Sequence, residues 1–170
     1  MNDKISFHPE TALGQVLLRW WEGLENNRGD RAELRRAHNL TAIVLTGGYQ
    51  HLYQMLLATG WPKEDKPENN WRNERLAAIA GLLAHVKVQD ERSLPLAMSE
   101  GERPPFSELR FRRLLDSSSL DEVFGGLRRA LPLVSYQANV LELANDVLLW
   151  SDNVKKRWAY TYRWPAKSAV

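Results

Sequence analysis

The chain of 170 residues carries 23 basic and 21 acidic side chains, a net charge of +2, no cysteine and 44% apolar residues. A chain of this size buries ~70% of its unfolded surface without covalent staples, and the absence of cysteine excludes disulfides, thiolate metal sites and a cysteine nucleophile while fitting a reducing compartment. No stretch approaches the ~20 apolar residues of a membrane span, and the polar opening from Met1 to His8 lacks a signal peptide's apolar run, so the expected location is cytoplasmic, with no membrane partner.

Apolar residues recur at helical spacing almost throughout. Leu13, Val16, Leu17, Trp20 and Leu24 form the first stripe. Asp30 and Glu33 resemble a capping box that opens a short basic helix from Arg31 to Ala37. Thr41 to Leu45 is the one β-like run. Tyr49, Leu52, Tyr53 and Leu56 make the next stripe, ended by Gly60 and Pro62, and Leu76, Ile79, Ala80 and Leu83 follow on an alanine-rich segment of high helix propensity. Periodicity fails between Lys87 and Phe106, a stretch holding Pro95, Gly101, Pro104 and Pro105. It reads as a loop packed on the surface, with room for one helical turn. Helical spacing resumes near Ser107 with Phe111, Leu114 and Leu115. Ser119 and Glu122 form a second capping box before Leu120, Val123, Phe124, Leu127 and Leu131, and Pro132 limits that helix. Ser135 is placed to cap a helix ending at Trp150, and Asp152 to cap a last one through Tyr162. The expectation is an all-α fold, a compact bundle of about seven or eight short helices. It is one domain over 1–170, in which two helical halves, 1–86 and 106–164, are joined by the proline-containing loop.

Nothing in the chain supports catalysis. His8, His38, His51 and His85 stand apart and share no metal-ligand spacing, and no H-E-x-x-H occurs. Ser117 to Ser119 lack elbow glycines and read as an interhelical loop. Gly47-Gly48 and Gly125-Gly126 lack the lysine of a phosphate loop. The second pair lies inside a helix, where each glycine costs ~1 kcal/mol relative to alanine, so close helix contact or a bend is the expected reason. No cofactor or metal is implied. Of seven tryptophans, Trp20, Trp150 and Trp158 fall on apolar stripes and are expected in the core, whereas Trp21, Trp61, Trp71 and Trp164 are not placed by pattern.

Arginine makes up 16 of the 23 basic residues, and its flat fork of donors suits phosphate and carboxylate. Residues 1–85 balance ten basic against ten acidic groups, while 103–170 carry eleven against seven. Four clusters stand out: Arg35-Arg36; Arg110, Arg112 and Arg113; Arg128-Arg129; and Lys155-Lys156-Arg157. A solvated face explains any one of them. Four converging after folding would make a surface that tracks a nucleic-acid backbone.

At these residues the chain resembles the CasB family, the small subunit of the type I-E CRISPR surveillance complex Cascade. The matching stretches are G-D-R-A-E-L-R-R-A (Gly29 to Ala37), L-A-A-I-A-G-L-L-A-H-V (Leu76 to Val86), F-S-E-L-R-F-R-R-L-L (Phe106 to Leu115) and L-R-R-A-L-P-L (Leu127 to Leu133), then L-L-W (Leu148 to Trp150) and K-K-R-W-A-Y-T-Y (Lys155 to Tyr162). Asn39 to Gly48 and the proline-rich loop match poorly. The resemblance implies a non-catalytic helical protein in a ribonucleoprotein, two copies of which line the complex between its head and tail subunits. Its implied partners are the backbone, large and tail subunits of Cascade, a second copy of itself, guide RNA and target DNA. Carried over by position, the phosphate-contacting residues are Arg36, Arg110, Arg113, Arg129, Lys155, Lys156 and Arg157. Arg35, Arg112 and Arg128 have structural or inter-subunit ion pairing as an alternative. A helical protein-protein adaptor is the rival class and needs no converged basic face. A helix-turn-helix regulator would read bases from Ser107 to Leu115, which lacks the Asn or Gln readers often found beside such arginines.

Overall fold

Side-chain oxygens open six of the helices. Thr11 Oγ1 accepts from Gly14 N–H, Asn39 Oδ1 from Ala42, Thr46 Oγ1 from Tyr49, Ser107 Oγ from Arg110, Ser119 Oγ from Glu122 and Asn139 Oδ1 from Glu142, at 2.8 to 3.4 Å. Each satisfies a backbone donor that the helix itself leaves orphaned. The computed structural model describes residues 5–63 and 70–166; Met1 to Lys4, half of the polar opening, lie outside them. Among the described residues there are ten helices: α1 Ala12–Gly23, α2 Arg28–Arg36, α3 Leu40–Val44, α4 Gly47–Leu57, α5 Trp71–Leu83, α6 Leu94–Ser99, α7 Glu108–Leu115, α8 Leu120–Ala130, α9 Val140–Leu148 and α10 Asp152–Thr161. The all-helical expectation holds. The surplus over seven or eight comes from the two shortest helices, α3 and α6, which sit where the sequence shows no stripe.

Four local expectations are corrected. The Thr41 to Leu45 run is helical because Asn39 caps it and Ile43 is wholly buried, so burial overrides the β-branched preference. Helix α2 begins at Arg28 with no side-chain cap, and the two acids of its expected capping box serve α4 instead. Glu33 accepts from Gly47 N–H at 3.1 Å, and Asp30 lies 3.5 Å from His51 Nδ1. Ser135 does not open α9, whose cap is Asn139, but closes the 3-10 turn of Leu131–Val134. It and Tyr136 adopt left-handed φ values of 59° and 57°, which steer the chain into β2 (Gln137–Ala138), paired in parallel with β1 (Val88–Gln89). Finally, Ser151 and not Asp152 holds the cap position of α10, without a side-chain bond.

Helix α5 is the axis of the molecule. Every residue from Leu76 to Leu83 is buried, with α3, α8, α9 and α2 packed around it. A helix apolar on all sides is stable only when enclosed. Its alanines and Gly81 admit close neighbours: a methyl at position 81 would stand 2.5 Å from Ile43 Cδ1 and 3.0 Å from Phe124 Cε2. One contiguous cluster of buried apolar residues runs from Phe7 to Tyr162 and draws on both halves of the chain. Trp20, Trp150 and Trp158 belong to it, as does Trp61, which stacks on Phe7 with ring centroids 5.6 Å apart.

The stretch from Lys87 to Phe106 is more ordered than a packed loop. Leu94, Ala97 and Met98 of α6 are buried, Arg92 ties Asp90 to Glu100, and the end of α10 closes over α6 through Tyr162 Oη donating to Phe106 O and Arg163 N–H donating to Ser99 Oγ. Among the described residues no helix is long and apolar enough to cross a membrane.

Candidate nucleic-acid interface

Helices α7 and α8 form a hairpin, brought close by Gly126: a methyl there would stand 2.8 Å from Leu114 Cδ1. The amphipathic spacing that buries Phe111 and Leu114 leaves Arg110 and Arg113 outward on α7, and burial of Leu127 and Ala130 leaves Arg129 outward on α8. These three guanidinium groups line one groove of about 770 Å³, with Phe106, Leu114 and Leu133 as its apolar wall and Gly125 and Gly126 also lining it. Asp121 and Glu122 stand at the loop end of the hairpin, so the positive potential concentrates toward Arg110 and Arg129.

A second groove, of about 640 Å³, adjoins the first along α8 and shares Gly125 and Arg129 with it. Arg35, Arg128, His38 and His85 line its other side. Arg35 in turn borders a smaller hollow with Arg28 and Arg31. A continuous arginine strip therefore crosses α7, α8 and α2. Arg28 and Arg31 fall outside the four sequence clusters, although 28, 31 and 35 are spaced i, i+3 and i+7, the signature of one helix face.

The ten basic residues proposed from sequence separate by what their side chains touch. Arg110, Arg113, Arg129, Arg35, Arg36, Lys155 and Lys156 have no ion pair among the described residues. Arg128 is engaged at all three nitrogens: Nε donates to His85 Nε2 at 3.3 Å, Nη1 to His38 Nδ1 at 2.6 Å and Nη2 to Arg35 O at 2.7 Å. Arg112 pairs with Glu108 at 2.9 Å and lies over the Trp164 ring. Arg157 pairs with the buried Asp146, whose carboxylate also accepts from Trp158 Nε1. It borders a different groove, between α9, α10 and the N-terminal segment. Lys155 and Lys156 line neither arginine groove, and Arg36 projects at the end of α2, outside both.

Electrostatics mark the centre of the strip. Burial, then Arg128, Arg35 and Arg31, push the His85 pKa down to about 4, so its ring is neutral and accepts from Arg128. Burial and the nearby Arg35 likewise pull Arg31 below the ordinary arginine value. A region this rich in arginine attracts anions. Among the described residues no three His, Asp or Glu side chains are grouped to hold a metal.

The fold and this strip define an all-helical protein with an arginine-lined face. A family model described as CRISPR-associated protein Cse2 matches residues 30–162, and the chain belongs to that family, the small subunit of type I-E Cascade. The match runs from within α2 to the end of α10 and takes in every residue of the strip except Arg28. It is a structural component of a CRISPR Cascade complex. No curated protein and no solved structure matches the chain.

Proposed function

We propose that the chain is a non-catalytic subunit that holds the sugar-phosphate backbones of guide RNA and target DNA and so stabilises the R-loop in antiviral defence. The observation that carries this reading is the meeting of Arg110, Arg113 and Arg129 in one groove without ion pairs among the described residues. The energetics fit. An RNA–DNA hybrid roughly equals in stability the DNA duplex it replaces, so a few backbone contacts tip the exchange. Arginines on rigid helices make such contacts without reading sequence.

The test is target-DNA binding by the assembled complex carrying R110E/R113E/R129E, measured at several salt concentrations. The expected result is weaker binding and a log-log salt slope flatter by ~0.7 to ~0.9 for each phosphate no longer neutralised. The adaptor reading draws support from Leu109 and Leu133, 58% and 40% exposed beside the same arginines. It has the opposite signature: the triple variant would fail to co-purify with the other subunits, and complexes that do assemble would bind DNA normally.

A further inference from the structure

We infer that Gly125 is a positioning residue for Arg129, and that the two form a seat for one phosphodiester where the two arginine grooves meet. The inference rests on the proposed nucleic-acid function and assigns a particular place within it.

Two adjacent glycines in the middle of α8 weaken that helix relative to alanine, so each calls for a separate reason. Gly126 has one in the packing of α7, through Leu114. Gly125 has none from any neighbouring helix. The three atoms nearest to a methyl at 125 would all belong to the Arg129 guanidinium: Nη1 at 3.3 Å, Nη2 at 3.9 Å and Cζ at 4.0 Å. The guanidinium lies back over the bare backbone one turn earlier, so close that a methyl there would press on it. Gly125 and Arg129 both line both grooves, with Arg110 and Arg113 facing from α7 and Arg128 and Arg35 from the far side.

An arginine fork presents paired donors that match two phosphate oxygens. Holding it against the helix lowers the side-chain entropy lost when a phosphate binds. Arg128, next in sequence, is engaged by His38, His85 and Arg35 O, which leaves Arg129 as the α8 cation available to a ligand. A backbone crossing α8 from one groove to the other passes over this point.

Two measurements test the seat: thermal unfolding of the free protein, and target-DNA affinity of the assembled complex. Gly125→Ala is expected to raise the unfolding midpoint by about 2–4 °C through helix propensity while weakening DNA binding about threefold. Arg129→Ala is expected to weaken binding about tenfold. In an Arg129→Lys background, whose ammonium has no flat face to lay on the backbone, Gly125→Ala should cause no further weakening. Wild-type affinity for Gly125→Ala beside a weak Arg129→Ala overturns the positioning role and leaves the proposed function standing. A lowered midpoint for Gly125→Ala also overturns it, since packing would then account for the glycine. Wild-type affinity and salt slope for Arg129→Ala overturn the seat and remove Arg129 from the proposed interface.

Discussion

One polar network, in which half-buried Arg128 donates to buried His85, carries two distinct consequences at the level of single residues. Arg128 is by sequence a candidate phosphate ligand with a structural alternative, and its three hydrogen bonds join α8 to the end of α2 and to His85. Arg128→Ala removes a partner from the Arg35 carbonyl and is expected to cost about 2 kcal/mol in urea unfolding, whereas Arg113→Ala, exposed and unpaired, should stay within about 0.5 kcal/mol. Arg128→Lys should restore little, because one ammonium cannot reach three separate partners as the guanidinium fork does. His85 makes stability depend on pH. Its folded pKa of about 4 lies below the ordinary histidine value of 6.5, so the unfolded chain takes up the proton first. The contribution is intact above pH 6.5 and drains away as pH falls through about 4. Urea midpoints between pH 7.5 and 4.5 should show this slope in the wild type, and His85→Gln should flatten it.

At the level of elements, arginine does two kinds of work. Arg31 donates to Ala84 O and Val86 O at the end of α5, Arg75 to Leu148 O and Trp150 O at the end of α9, and Arg128 to Arg35 O at the end of α2. Helix C-termini leave carbonyls unpaired and carry partial negative charge, so a guanidinium satisfies both needs. Part of the arginine excess thus closes helices, and only the remainder is available to a ligand. Glycine divides in the same manner. Gly81→Ala on α5 would drive a methyl into Ile43 and Phe124; overpacking of this kind costs about 1–3 kcal/mol, more than the ~1 kcal/mol that helix propensity returns. A lowered unfolding midpoint in that variant, against a raised one for Gly125→Ala, separates packing glycines from permissive ones.

Over the whole molecule, a net charge of +2 conceals a segregated surface. The grooves on α7, α8 and α2 gather arginines from both halves of the chain, although the first half is electrically balanced in sequence. The lysines of α10 stand apart from this strip, which makes them a separate test of how far a bound backbone extends. Lys155→Glu with Lys156→Glu should weaken target-DNA binding by the assembled complex and leave the free chain folded, as read by circular dichroism. Unchanged affinity across several salt concentrations would confine the interface to the strip.

Helix type and stripe were legible because periodicity is local: Leu13 to Leu24 and Leu120 to Leu131 bury the faces that their spacing marks, and the caps at Ser107 and Ser119 lie where short-range hydrogen bonding puts them. The short helices α3 and α6 were not legible, since five or six residues show too little period and are held by burial of Ile43, Leu94 and Met98. Family membership also followed from the chain alone, because the ordered motifs and the residues matched by the family model coincide over most of its length. The fate of each arginine was decided only by tertiary structure. Neighbours such as Arg128 and Arg129 are chemically identical in sequence, and what separates them is which carbonyl, imidazole or open groove the fold brings within about 3 Å, the reach of a hydrogen bond.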